Sequence, residues 1–135
     1  MLMADPMLRL HIGERSCQLR LLVDRAPVVC QALLGMVPVE SYLVQAKFAG
    51  DELYFMVPGV WPTENPVSRL SPGDVVYARD RQTICLFYGP NIVPFGSYGS
   101  IFAKVTTGLE HLQAVGPEIW RQGPAPVRLV AEGER

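Results

Sequence analysis

The chain has 135 residues, 49% of them hydrophobic and 19% charged, enough to bury a core without disulfides or metals. Its 12 basic and 13 acidic side chains leave a net charge of -1, so the basic footprint of a nucleic-acid binder is absent. Three widely spaced cysteines fit neither a zinc ribbon nor a secreted disulfide framework. With no apolar run near the ~20 residues of a membrane helix and no leader pattern at the N-terminus, the expectation is a single cytoplasmic domain over 1–135, with reduced thiols and no membrane attachment.

Strand signals open the chain. "MLRLHI" alternates, with Leu8, Leu10 and Ile12 on one face, and "CQLRLLV" alternates again after the turn "GER"; the pair reads as a hairpin. "DRAPVVCQALLGMVP" changes period. Pro27 suits a first helical turn, Val29, Cys30, Leu33 and Leu34 share a helical face, and Gly35 and Pro38 close the helix.

"SYLVQAKF" and "ELYFMVP" flank "AGD" as a second hairpin, with Leu43, Gln45 and Lys47 on one face and Tyr42, Val44, Ala46 and Phe48 on the other. From Pro58 to Gly73 there are four prolines and no periodicity, which predicts a long loop of the kind that often carries function. "DVVYARD" and "TICLFYG" form a third pair around "RQ", and the Gly- and Pro-rich run "YGPNIVPFGSYG" leads into the strand "SIFAKVT". "LEHLQAV" then reads as a helix, "GPEIWRQG" as a separate helical turn after Gly116-Pro117, and "APVRLVAE" as a last strand. Eight strands and two short helices make a mainly β fold, and eight strands close into a barrel that side chains just fill.

Two segments resemble cyclophilins. "VDRAPVVCQALL" is similar to their strand-to-helix corner, and "SIFAKVTTGLEHLQAV" to the strand ending in Phe-Gly-Lys-Val with the Gly-led turn and helix that follow it, with Phe102, Ala103, Lys104, Val105 and Gly108 in the matching places. Over nearly the whole chain, "AKFAGDELYFMVP", "PGDVVYARD" and "WRQGPAPVRL" look closer still to a bacterial and archaeal cyclophilin-like family of unknown function. The resemblance implies a closed eight-stranded cyclophilin-like β-barrel. It does not imply prolyl isomerase activity: the cyclophilin Phe-His-Arg run would fall on "VQAKF", where Lys47 is the nearest cation, and a Lys cannot replace the planar fork of Arg. The later cyclophilin His and Trp would fall near Gly99 and Pro94 and are unmatched.

Candidate ligand-binding residues come from the second hairpin and the glycine-rich loop. Lys47, Glu52 and Tyr54 lie across one hairpin, where cross-strand pairing can join a cation and a carboxylate; an exposed ion pair is the plainer reading for Glu52. Gln45 needs hydrogen-bond partners if buried. Tyr88 and Phe102 are core fillers by default, although Tyr88 beside Gly89-Pro90 could put a hydroxyl at a pocket mouth. Phe95 and Tyr98 sit among glycines that permit close backbone approach, without phosphate-loop spacing. Trp61 is expected as a lid or partner contact and Trp120 as packing between helix and barrel. His11 and His111 lack a third ligand, so no metal and no cofactor are expected.

These residues fit a protein that binds a small molecule or peptide in or beside the barrel. The alternatives are an enzyme or accessory subunit acting on small amide or carboxylate metabolites and, least favoured, a peptidyl-prolyl isomerase. A homo-oligomer is also expected, since sheet edges and apolar loops often pair.

Overall fold

The computed structural model describes residues 5–94 and 99–134. Its strands are β1 (Met7–Ile12), β2 (Arg15–Leu21), β3 (Val39–Gln45), β4 (Gly50–Met56), β5 (Asp74–Ala78), β6 (Thr83–Ile92), β7 (Ser100–Thr107) and β8 (Ala125–Ala131). Helix α1 spans Pro27–Met36 and α2 spans Leu109–Gln122. The strands close a barrel in the order β1-β2-β7-β5-β6-β4-β3-β8, each neighbouring pair antiparallel. The expected mainly β barrel with two helices is what forms.

Period-2 alternation explains the closure: Leu8 and Leu10, Leu19 and Leu21, Leu53 and Phe55, Ile84 and Leu86 all turn inward into one buried cluster with Phe102 and Leu129. The helices lie at opposite ends of β2, since the Ala26 amide leading into α1 bonds Leu22 and His111 of α2 bonds the Ser16 carbonyl. Each presses an apolar stripe on the core, Val29, Cys30 and Leu33 from α1, and Leu112, Val115 and Ile119 from α2.

Four details differ from the sequence expectations. The second hairpin is not two plain strands: β3 stops at Gln45 and Lys47–Ala49 form a single 3-10 turn. Gly50, which follows at φ 101°, is a backbone only glycine adopts easily, and a Cβ there would strike the Asn91 backbone. Lys47 therefore does not face Glu52; Glu52 pairs with Phe87 of β6, and the Lys47 ammonium sits 6.0 Å from the Trp120 ring centroid.

Helix α2 also runs unbroken through Pro117. A proline removes one helical hydrogen bond, but Leu112, Val115 and Ile119 keep one apolar stripe across it, and burying that stripe outweighs the loss. Gly116 belongs to the same packing, because a Cβ there would lie 2.6 Å from the Tyr88 ring. Trp120 does not make the contact expected of it: it is 59% exposed.

The long loop from 57 to 73 is tied down rather than hung as a lid. Trp61 packs on Tyr77 with ring centroids 4.9 Å apart, its amide donates to the Tyr77 hydroxyl, and that hydroxyl donates to the Gly59 carbonyl. The Glu64 carboxylate accepts from the Val28 and Val29 amides at 3.1 and 3.0 Å, capping a helix whose own N-cap, Ala26, has no side-chain acceptor. Asn65 bonds to Ile101 through both backbone and side chain. The tethers leave the second half of the loop lying along the barrel wall.

Candidate functional site

Strand β6 is buried on both faces, every residue from Thr83 to Tyr88 being buried. Ile84, Leu86 and Tyr88 point into the barrel, whereas Cys85 and Phe87 point outward and join Val76, Ala78 and Ile101 in a second apolar cluster. Val67 and Leu70 from the long loop and Ile92 from the end of β6 pack against it. The cover is incomplete. Between the wall and the loop runs a cleft of about 630 Å³, bordered by Phe48, Tyr54 and Met56 on one side and by Pro94 and Gly99 on another. Its size is that of a small-ligand site.

One carboxyl lies in this apolar setting. Glu52 projects outward from β4 into the cleft and is only 7% exposed. Burial pushes its pKa from the usual carboxylate range up to about 7, against smaller opposing effects from the Cys85 thiol hydrogen bond and the Arg81 charge. Cys85 is itself bonded to the Thr83 hydroxyl, with 3.5 Å between Sγ and Oγ1. Burial, reinforced by the Glu52 charge, drives the thiol pKa strongly upward. Cys85 is therefore a protonated thiol beside Glu52, not a thiolate nucleophile.

Arg81 lies in the β5–β6 turn with its guanidinium 5.3 Å from the Phe48 ring centroid, and Arg69 comes from the long loop. Both line the cleft, yet neither reaches Glu52 within ion-pair distance among the described residues.

The candidates from the sequence divide between two sides of the barrel wall. Glu52 and Tyr54 line the cleft. Gln45, Tyr88 and Phe102 lie inside: the Tyr88 hydroxyl donates to Gln45 Oε1 at 3.2 Å, Gln45 Nε2 donates to the Gly50 carbonyl at 3.1 Å, and Phe102 is fully buried. Burial also raises the Tyr88 phenol pKa. Lys47 belongs to the turn beside Trp120, and Phe95 and Tyr98 fall outside the described residues.

Sequence reasoning missed Cys85, Phe87, Val76, Arg69 and Arg81. A signal for Cys85 and Phe87 was present. The run "TICLFYG" is apolar on both faces, as expected of a strand covered on its outer side as well. The arginines had none, since their approach depends on how the long loop and the β5–β6 turn fold back. Among the described residues no three His, Cys, Asp or Glu side chains gather as a metal site, and no helix is long and apolar enough to cross a membrane.

Residues 8–131 match a family described as "Protein of unknown function (DUF3830)". The chain belongs to that family. Among solved structures it is similar to McbB in complex with tryptophan, with a TM-score of 0.81 and 20% identity over 95% of this chain and 45% of that one. The chain thus spans less than half of McbB. It is also similar to the hypothetical protein AF2241 from Archaeoglobus fulgidus, with a TM-score of 0.75 and 23% identity over 95% of both chains. At these identities the likenesses establish the barrel fold alone. No curated protein matches the sequence.

Proposed function

We propose that this protein is a cyclophilin-like barrel that binds a small, largely apolar molecule or a short apolar peptide segment in the cleft outside β4, β5 and β6. The observation that carries the reading is the unfilled cleft itself, about 630 Å³ of concave apolar surface with one buried carboxyl. The interior offers no such space, because Leu, Ile, Phe and Tyr side chains occupy it.

The reading is tested by a thermal-shift screen against amides, carboxylates, amines, aromatic amino acids and short peptides, run in parallel on the native protein and on Ala78→Phe. Tryptophan belongs in the library because McbB, similar in fold, was solved with it. A ligand at 100 times its dissociation constant adds about 2.7 kcal/mol of stability. The expected result is a rise in melting temperature that Ala78→Phe abolishes by filling the cleft. A blank screen, or hits indifferent to Ala78→Phe, would move the function to a protein partner or another surface.

An enzymatic reading rests on one further observation. Burial raises the Glu52 pKa to about 7 beside an open cleft, which suits a general acid or base. Turnover of a small amide or carboxylate metabolite that disappears in Glu52→Gln while binding persists would make this an enzyme; binding with no turnover leaves a binding protein.

A further inference from the structure

We propose that Glu52 is the recognition group of the cleft and that the ligand presents a cationic nitrogen, an amine on an aromatic or branched aliphatic body, to its carboxylate. The proposal rests on the cleft being the ligand site, and it commits to the ligand's chemistry.

A second carboxylate on the same barrel provides the contrast. Asp74, at the start of β5, is as deeply buried as Glu52, with 5% of its side chain exposed. It is fully served. Lys104 Nζ donates to Oδ1 at 2.6 Å and the Ser71 amide donates to Oδ2 at 2.8 Å. Glu52 has the same burial and none of that provision. Its partner is the Cys85 thiol, a weak donor, and no Lys, Arg or His stands within 4.0 Å of it among the described residues. A carboxylate offers about four lone-pair sites. In Asp74 the protein gives each oxygen a strong donor, a cation on one and an amide on the other; the Glu52 carboxyl faces the cleft without either.

The surroundings decide what can occupy those sites. The floor is Val76, Cys85 and Phe87, and Tyr54 stands beside Glu52 on β4, so the ligand's body is apolar and suits aromatic contact. Among the described residues the charged groups that face the cleft beside Glu52 are Arg81 from the β5–β6 turn and Arg69 from the long loop, with Cys85 from β6 and Tyr54 from β4 as the other titratable groups. Neither arginine forms an ion pair with Glu52 among the described residues, although the Arg81 charge acts on it, so an ammonium can dock on Glu52 without displacing an internal pair. The attraction within such a pair is stronger than on the surface, and because Glu52 is already desolvated by the fold, the ligand bears mainly its own desolvation.

The test uses three probes of similar shape: 2-phenylethylamine, 2-phenylethanol and 3-phenylpropionate. Binding to the native protein and to Glu52→Gln is followed by calorimetry from pH 5.5 to pH 8.5. The amine is expected to bind tightest, and its affinity to rise roughly tenfold as the pH passes through the range where Glu52 ionises. It is expected to release protons on binding, seen as heats that differ between buffers of different ionisation enthalpy. Glu52→Gln is expected to weaken the amine by about tenfold or more while changing the alcohol by less than roughly twofold. A ligand-free melting temperature for Glu52→Gln no lower than that of the native protein separates this loss from misfolding, and Ala78→Phe, which leaves Glu52 in place, is expected to lose all three probes.

If the alcohol binds as well as the amine at every pH, the cleft reading survives and the proposal is overturned. Preference for the propionate at low pH overturns it too, because Glu52 would then act as a proton donor to an acceptor. So does a failure of the amine to bind at millimolar concentration.

Discussion

The two faces of strand β6 follow opposite rules. Ile84, Leu86 and Tyr88 meet neighbours on every side and leave the barrel interior full. Cys85 and Phe87, one residue away, are equally shielded yet meet a loop that does not close over them. The polar groups differ in the same way. Inside, Gln45 and Tyr88 satisfy one another; outside, Glu52 leans on a thiol. Side chains occupy the interior of this barrel, so the proposed ligand site lies on its outer wall.

The largest effect should come from emptying the filled side. Phe102→Ala is expected to cost about 3–5 kcal/mol, and Phe87→Ala, beside the cleft, about 1–2 kcal/mol, because the space it leaves joins one already open. Urea denaturation of both variants measures the contrast, and equal losses would mean that the outer cluster is as close-packed as the interior.

Glu52 sharpens the comparison through pH. Its folded pKa, about 7, lies above the ordinary value of 4.5, so between those values the folded state holds the extra proton. Stability therefore falls as pH rises from about 4.5 through 7 and stays lower above that range. Glu52→Gln is expected to stabilise the protein by about 1–3 kcal/mol at pH 8.5 and to change little at pH 4.5. Melting curves of both proteins across that range check the sign; a variant less stable at pH 8.5 would show that the carboxylate has a cationic partner after all.

Lys104→Met tests the opposite case. Asp74 then keeps its amide but loses its cation, for an expected loss of about 1–2 kcal/mol near neutral pH, reduced because Lys104 is 41% exposed. No loss would put Asp74 and Glu52 on the same footing and remove the contrast. The smallest change is Tyr88→Phe, which leaves Gln45 Oε1 without its internal donor and should cost about 1 kcal/mol by urea denaturation.

The barrel was largely legible in the sequence because period-2 alternation in segments such as "MLRLHI" is dictated by burial on one face. What misled was local geometry set by distant partners. Continued alternation through Ala46 and Lys47 suggested a longer β3, but the chain turns there so that Gly50 can meet Asn91. Pro117 suggested a break in α2, and tertiary burial of Leu112 and Ile119 overrode it. Glu64 as the cap of α1 could not be foreseen, because it arrives from a loop more than thirty residues away.

The candidate site was half legible. Glu52 and Tyr54 were named from their hairpin, but Glu52 was read chiefly as one half of an exposed ion pair. Its burial depends on the fold of the 57–73 loop, which carries no periodic signal. Gln45 and Tyr88 drew attention as polar groups on apolar strands, and that same feature suits a buried pair that serves itself.

The most direct test of the central claim, that ligands bind outside the wall and not within it, is a methyl and amide NMR titration with 2-phenylethylamine at pH 8. Shift changes concentrated on Val76, Ala78, Cys85 and Ile92, with Leu86 and Leu129 unmoved, are the predicted result. Changes centred on the interior residues or on the exposed face of α2 around Trp120 would contradict it.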